Sequence, residues 1–273
     1  MPIASLVTVG DEILAGDILN TNARWLAREM RKRGVPIVRM VTVSDDAETI
    51  ARAIRAEREE PPTPAFGSGT GLRWGPRSLP DHILVTGGLG ATPDDVTRQG
   101  VALAFGLKLV RNPEAEALLK ARFTGKLLEL NMVMATLPEG AEAIQNPAGA
   151  APGFVVENVV VLPGVPREME AMFPLVADRF AGPPLHTEWL TTNRFEVEIT
   201  PALEEAVRKF PEVRIGSYPV RVEEERKSKF LVKLKMASTD RGAVERCREF
   251  LKGRIRDARQ ESPGRGASIV NER

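Results

Sequence analysis

A glycine-rich loop that ends in two carboxylates is the stretch of this sequence best suited to chemistry. The loop, residues 87–95 (GGLGATPDD), lies between an apolar run at 83–85 and a segment at 96–105 with helical apolar spacing. Glycine lets a ligand approach the backbone closely, and a helix N-terminus offers unpaired N–H groups with a partial positive charge. The spacing therefore predicts a phosphate site at a strand-to-helix turn, with Asp94 and Asp95 placed to hold a metal ion.

Helix capping offers a purely structural interpretation of the same loop. Thr92 is a good N-cap, Pro93 suits the first helical position, and Asp95 falls where a capping-box carboxylate answers Thr92. Capping explains neither Asp94 nor the glycines. The loop as a whole therefore predicts a functional site, whereas Asp95 stays open between the two roles.

Three other turns adjoin strand-like segments and carry polar side chains. They span residues 10–22 (GDEILAGDILNTN), 146–153 (NPAGAAPG) and 162–169 (LPGVPREM). Because open α/β sheets bind ligands at the carboxyl ends of their strands, we expect these turns to meet the glycine loop at one site. Arg167 is either the nearest fixed cation for a phosphate or a solvated residue in the first turn of a helix.

The hydrophobic pattern up to about residue 180 predicts strands interleaved with helices. The strands are predicted at 3–9, 35–43, 83–85, 108–110, 143–144 and 154–162, the last with a bend at 157–158, and the helices at 23–33, 45–60, 112–123, 126–136 and 166–180. Asn22 is predicted to cap the helix at 23–33, and Asp45 to form a capping box with Glu48. This alternation predicts an α/β fold of three layers, with a mainly parallel sheet covered on both faces.

The pattern changes after a linker at residues 181–184. A strand at 194–199, a helix at 201–209, a turn at 215–219, a strand at 230–236 and a helix at 240–258 predict a small α+β domain. We therefore expect one domain at 1–180, interrupted by a proline- and glycine-rich surface insertion at 61–80, a second domain at 185–260 and a tail at 261–273.

Composition limits the classes of function. The 273 residues are 42% hydrophobic and 27% charged with a net charge of +1, which gives no overall field for nucleic acid or an anionic membrane. Two histidines disfavour a histidine-built zinc site, so carboxylate and phosphate oxygens should hold any divalent metal, which suits Mg, Mn or Co. The apolar start at 3–9 is too short for a membrane span or a secretory core, and we expect a cytoplasmic protein.

Taken in order, the four loops resemble those of the CinA competence/damage-inducible family, from about residue 3 to about residue 180. The resemblance implies the molybdopterin-binding (MoaB/MogA-like) fold, and the C-terminal domain is similar to the KH-like insert of CinA proteins. In CinA-like proteins the first domain is associated with divalent-metal-dependent hydrolysis of ADP-ribose to AMP and ribose 5-phosphate. The alternatives are a molybdopterin-binding protein of molybdenum-cofactor biosynthesis and a non-catalytic oligomeric scaffold.

The resemblance also implies roles for individual residues. Asp94 and Asp95 are expected to be catalytic and, with Asp11, to bind the metal. Substrate binding is expected at Gly10, Asp11, Glu12, Asn20, Gly87, Gly88, Gly90, Thr92, Asn146, Gly149, Gly153, Gly164, Pro166, Arg167 and Glu168. The expected ligand is a nucleotide sugar or a pterin phosphate, and the expected assembly is a homo-oligomer, a dimer or a trimer.

Some positions depart from the family pattern. Ala91 stands where the family usually has proline, Ala150 where it usually has threonine, and residues 131–135 (NMVMA) replace a more polar, basic stretch. These departures leave the substrate open. The C-terminal amidohydrolase domain of full-length CinA proteins, and with it deamidation of nicotinamide mononucleotide, is not expected in this chain.

Overall fold

The structure is a computed structural model that describes residues 1–59, 79–224, 227–255 and 259–260. The predicted tail at 261–273 and all but the end of the predicted insertion at 61–80 lie outside these ranges. The described residues form two compact units, which meet in sequence at residues 183 and 184.

The first unit alternates strands and helices as predicted. Its elements are β1 (Ala4–Val9), α1 (Asp11–Leu14), α2 (Thr21–Lys32), β2 (Ile37–Val43), α3 (Ala47–Glu59), β3 (His82–Thr86), α4 (Thr97–Phe105), β4 (Leu109–Arg111), α5 (Pro113–Arg122), α6 (Gly125–Asn131), β5 (Thr136–Pro138), β6 (Glu142–Ile144), β7 (Gly153–Val156), β8 (Val159–Leu162) and α7 (Pro166–Val176). A short 3₁₀ turn follows α6 and another follows α7.

A six-stranded sheet in the order β2-β1-β3-β8-β7-β6 forms the centre of this unit. The four strands β2, β1, β3 and β8 are parallel, and Leu6 of β1 pairs with Met40 of β2 on one side and Leu84 of β3 on the other. The strands β7 and β6 extend the sheet in the antiparallel sense. The prediction of a mainly parallel sheet is confirmed.

Two hydrophobic cores lie on opposite faces of the sheet, because successive side chains of a strand point to opposite faces. Leu6 belongs to the core that contains Leu26 of α2 and the apolar side of α7. Its neighbour Val7 belongs to the core that contains Ile54 of α3 and Val101 of α4. The unit is therefore a three-layer α/β structure, as the alternation of elements predicted.

Two predicted helix caps were wrong, each by a small shift along the chain. Helix α2 is capped by Asn20, whose side chain accepts the N–H three residues on, and not by Asn22. Helix α3 is preceded by Asp46, whose carboxylate accepts the N–H three residues on, so Asp45 forms no capping box. In both places two residues close in sequence have side chains that commonly cap helices, so residue type alone does not show which of them does so. The residue that does not cap has its side chain free for other contacts.

The helix after the glycine loop lies where the apolar spacing at 96–105 predicted it, and not where the capping interpretation placed its start. Thr92 and Pro93 do not begin α4, because residues 92–95 form a separate turn in which the N–H of Asp95 donates to the carbonyl oxygen of Thr92 at 3.1 Å. Helix α4 begins at Thr97 and ends at Phe105, and Gly106 after it adopts the left-handed conformation. The strand predicted at 154–162, with a bend at 157–158, is two strands: β7 and β8 form a hairpin that turns at the predicted bend, where Glu157 has a φ of 51°.

The second unit is the predicted α+β structure, although its elements differ in detail. It contains β9 (His186–Thr192), α8 (Glu196–Lys209), β10 (Arg214–Glu224), β11 (Lys227–Ser238), α9 (Arg241–Arg254) and β12 (Arg259–Gln260), with an antiparallel sheet in the order β10-β11-β9-β12. The core of this unit includes Leu190, Leu234 and Cys247, and burial raises the pKa of the Cys247 thiol to about 12.

Two predictions for this second unit were wrong. Residues 194–199 are not a strand, since α8 begins at Glu196; the alternating apolar residues include Phe195 and Val197, which are 65% and 79% exposed. Residues 215–219 are not a turn, because they pair with residues 232–236 inside β10 and β11. Within the described residues no helix is both long and apolar enough to cross a membrane.

Candidate functional site

The loops that follow the parallel strands meet at the carboxyl edge of the first unit's sheet. A cleft of about 190 Å³ opens there, and residues from the loops after β1, β2, β3 and β8 line it. The predicted site residues that line the cleft are Gly10, Glu12, Asn20, Gly87, Gly88, Asp94, Asp95, Gly164 and Pro166. A depression of about 630 Å³ is lined by some of the same residues and adds Gly90 and Glu168. The remaining predicted residues, Asp11, Thr92, Asn146, Gly149, Gly153 and Arg167, line neither.

The glycine loop passes so close to its neighbours that side chains are excluded. Gly87 and Gly88 have positive φ values of 115° and 63°. A Cβ on Gly87 would lie 2.2 Å from the carbonyl oxygen of Val9, and one on Gly88 would lie 2.4 Å from the Thr97 hydroxyl. The loop therefore needs glycine for both its backbone angles and its packing.

Some N–H groups of this loop have no protein partner. Among the described residues, no acceptor pairs with the N–H groups of Gly88, Leu89 or Ala91. Unpaired backbone N–H groups beside a cleft are the usual means by which a glycine loop holds an anion. The phosphate site that the sequence predicts at this loop stays a prediction.

Asp95 holds the loop together from within. Its carboxylate accepts the N–H of Gly90 at 2.7 Å and the N–H of Thr92 at 2.9 Å, and it also accepts the Thr92 hydroxyl. A Cβ on Gly90 would lie 2.4 Å from this carboxylate. These bonds favour the structural role for Asp95, while its predicted catalytic and metal-binding roles stay predictions.

Asp45 is a cleft residue that the sequence analysis assigned to a helix cap instead. Its carboxylate accepts the N–H of Asp11 at 2.8 Å, at the point where the loops after β1 and β2 meet. Burial raises the pKa of Asp45, and the negative charges of Asp11, Glu12 and Asp94 raise it further, against the lowering effect of the bond from Asp11. The signal in the sequence was its place directly after a strand of a parallel sheet.

Asp94 differs from Asp45 in its surroundings. It lies at the exposed rim of the cleft, and hydrogen bonding from Thr92 together with its own backbone N–H lowers its pKa. Asp94 is therefore ionised at neutral pH, whereas Asp45 holds its proton more tightly. The cleft therefore carries one carboxyl group whose pKa is raised by burial and neighbouring charges and one whose pKa is lowered by hydrogen bonds.

Asn22 connects three parts of the site. Its side-chain amide donates to the Thr86 hydroxyl at 3.0 Å and to the carbonyl oxygen of Gly164 at 2.8 Å, and Thr86 in turn donates to the carbonyl oxygen of Pro163. The side chain is buried, and its Oδ1 has no hydrogen-bond partner among the described residues. The sequence suggested a helix cap here, because Asn22 precedes an apolar helical repeat.

The loop at 146–153 reaches the depression through Ala150 and Ala151. The Asn146 amide donates to Glu168 at 2.7 Å, and its oxygen accepts the N–H of Gly149 at 2.7 Å. A Cβ on Gly149 would lie 1.9 Å from the Glu168 carboxyl carbon, so this glycine leaves room for the carboxylate.

Arg167 is exposed in the first turn of α7, directly after Pro166, the first residue of that helix. This position favours the alternative in which Arg167 is a solvated residue and not a cation that binds phosphate.

The carboxylates of the site do not form a ready-made metal centre. In the part of the chain that the structure describes, no three His, Cys, Asp or Glu side chains are grouped so that they could hold a metal ion. The side chains of Asp94, Asp95 and Asp11 thus do not fit a metal without further ligands, and the predicted divalent metal stays a prediction.

Comparison with known proteins finds similar families for both units. Residues 5–61 and 72–182 match the family described as probable molybdopterin binding domain, and residues 184–262 match the middle domain of FAD synthase. A protein of Archaeoglobus fulgidus is 41% identical over 78% of this chain and 84% of its own length. A CinA-like protein of Frankia casuarinae is 36% identical over 78% of this chain and 49% of its own length, so the chain spans about half of that relative.

A solved structure agrees with these matches. The CinA protein from Thermoplasma acidophilum, a protein of unknown function, superimposes with a TM-score of 0.56 at 33% sequence identity. The match covers 65% of this chain and 97% of the other.

Proposed function

Because the chain belongs to the family of the molybdopterin-binding domain, in its CinA-like form, we propose that the cleft binds the phosphate group of a pterin ligand of the molybdopterin type. The observation that carries the proposal is the glycine loop at residues 87–91, with three backbone N–H groups that have no acceptor in the part of the chain that the structure describes. An anion can accept several such bonds at once without a side chain to deliver them.

The depression next to the cleft supplies a place for the rest of such a ligand. Leu89, Met134 and Ala150 give it apolar walls, and the Glu168 carboxylate offers an acceptor for ring N–H groups. Ligand pockets commonly combine apolar walls with a few polar groups that fix orientation. A flat heterocycle with N–H donors on its edge fits this description.

A second candidate function is hydrolysis of a nucleotide pyrophosphate such as ADP-ribose. The observation that favours it is the group of carboxylates at the cleft, Glu12, Asp45 and Asp94, which an anionic ligand would meet with repulsion unless a cation came with it. The ligand's own phosphate oxygens would have to complete the coordination of a divalent ion, since the protein groups alone do not.

Parallel titrations discriminate between these functions. We expect the pure protein to bind a pterin phosphate under anaerobic conditions, observed by quenching of pterin fluorescence, and to bind it more tightly than ADP-ribose. In the same preparation ADP-ribose is incubated with Mg²⁺, Mn²⁺ or Co²⁺ and analysed for AMP. Metal-dependent AMP that disappears in a folded Asp94→Asn variant would favour hydrolysis, and failure to bind any pterin would contradict the first proposal.

A further inference from the structure

Arg98 is a buried cation in direct contact with the glycine loop. Only 3% of the residue is exposed, in the first turn of α4. Its guanidinium donates to the carbonyl oxygens of Leu89 at 2.5 Å and Gly90 at 2.8 Å, with a longer bond to that of Asp95 at 3.4 Å. One side chain thus holds the loop at consecutive peptide groups.

These bonds determine which groups the loop presents on its other side. In a trans peptide the C=O and the N–H point in opposite directions. The carbonyl of Gly90 is turned toward Arg98, so the N–H of Ala91 is turned away from it. In the same way the carbonyl of Gly88 accepts the first N–H of α4 at 3.2 Å, and the N–H of Leu89 is turned away from that helix. Both are among the N–H groups without a protein acceptor.

The charge of Arg98 is the second part of the argument. Burial lowers its pKa and the charge of Asp95 opposes that effect, but arginine keeps its proton at any physiological pH. Its hydrogen bonds go to neutral carbonyl oxygens, while the Asp95 carboxylate is engaged by loop N–H groups. A buried charge held in this way is costly for stability. It also places a positive charge behind the glycine loop, whereas the charged residues that line the cleft are acidic.

We propose that Arg98 is the positioning residue of an anion site: it fixes the loop so that the N–H of Ala91 faces away from it, and its positive charge directly behind the loop favours a phosphate or pyrophosphate group there. The inference rests on the proposed function in that both place a phosphate at this loop. It makes no assumption about the organic part of the ligand.

Inorganic pyrophosphate tests the loop by itself. The full chain is titrated by calorimetry as wild type, Arg98→Lys and Arg98→Met, and amide hydrogen exchange of residues 87–95 is followed in the same samples without ligand. We expect Arg98→Lys, which keeps the charge but loses the forked contact with two carbonyls, to weaken binding by about 10-fold or more. Arg98→Met should weaken it further, and exchange at the loop should speed up in both variants.

Arg55→Lys is the matched control, because Arg55 also donates to a main-chain carbonyl, but to that of Leu103 and not to one of the glycine loop. Its affinity for pyrophosphate should equal that of the wild type. Unchanged affinity in folded Arg98→Lys would overturn the inference, as would a wild type that does not bind pyrophosphate. Wild-type binding that Arg98→Lys weakens upholds the inference even when every pterin tested fails to bind, so the two proposals can fail separately.

Discussion

Asn22 lies where the loops after β3 and β8 meet the start of α2. Its amide N–H groups are directed at two oxygens, the Thr86 hydroxyl and the carbonyl of Gly164, and both contacts are buried or partly buried. Replacement of the amide by a carboxylate would place an acceptor against two acceptors. The shape of the site at this corner therefore depends on one nitrogen atom.

We predict that Asn22→Asp lowers the free energy of unfolding by about 2–4 kcal/mol at neutral pH, since it buries a charge and leaves its former partners unpaired. Urea unfolding followed by circular dichroism measures the loss. Asn131→Asp is the control: its amide donates only to the Leu127 carbonyl of the same helix, in an exposed bond, and its loss should stay below about 1 kcal/mol. Equal losses in the two variants would contradict the role assigned to Asn22.

At the scale of elements, α3 and α4 pack closely on one face of the sheet. Gly100 in α4 makes this approach possible, because a Cβ there would lie 2.6 Å from the Cβ of Ile50 in α3 and 3.1 Å from the carbonyl oxygen of Ala47. The close packing fixes where α4 begins. It thus bears on the position of the glycine loop that precedes this helix.

Gly100→Ala should therefore destabilise the protein by about 1–3 kcal/mol, despite the better helix propensity of alanine. Gly253→Ala in α9 is the matched control, because a Cβ there meets nothing within 4 Å. That variant should be unchanged or more stable, by up to about 1 kcal/mol. Thermal and urea unfolding of both proteins give the comparison. A neutral Gly100→Ala would show that the two helices separate without cost.

The element scale also shows what the sequence could predict. Apolar runs and helical spacing identified most strands and helices of the first unit, although not α1 or β5. The rule that ligands bind at carboxyl ends predicted the sheet edge at which the cleft lies. Spacing could not decide between neighbours of equal capping type, such as Asn20 and Asn22. Contacts between loops that lie far apart in the sequence decide which residue caps a helix and which makes other bonds. The bond from the Asp11 N–H to Asp45 is one such contact, and the local sequence does not show it. For the same reason the sequence did not reveal that Arg98 contacts the glycine loop.

At the scale of the whole molecule, a half-buried histidine links folding stability to pH. His82 starts β3 and packs edge-on against Phe180, with ring centroids 5.1 Å apart. Burial lowers its pKa from 6.5, and the charge of Asp81 only partly opposes this effect. The unfolded chain therefore binds the proton more readily than the folded one, and stability falls as the pH drops below that value.

We expect the free energy of unfolding to decrease between about pH 7.5 and about pH 5.5, and to decrease less in His82→Gln, which cannot gain the proton. Urea unfolding at both pH values for both proteins isolates the histidine contribution, because the carboxylates are common to the two. The same decrease in both proteins would show that other groups cause it.

The division into two units leads us to predict that the first unit alone binds the anion. All residues that line the cleft and the adjoining depression belong to the first unit, which contains two hydrophobic cores of its own. A fragment of residues 1–183 should therefore fold cooperatively and bind pyrophosphate within about twofold of the full chain. Calorimetry on both proteins, with circular dichroism to verify the fold, makes the comparison. A well-folded fragment with much weaker binding would show that the residues after 183 contribute to the site, and a fragment that does not fold would show that these cores are not sufficient.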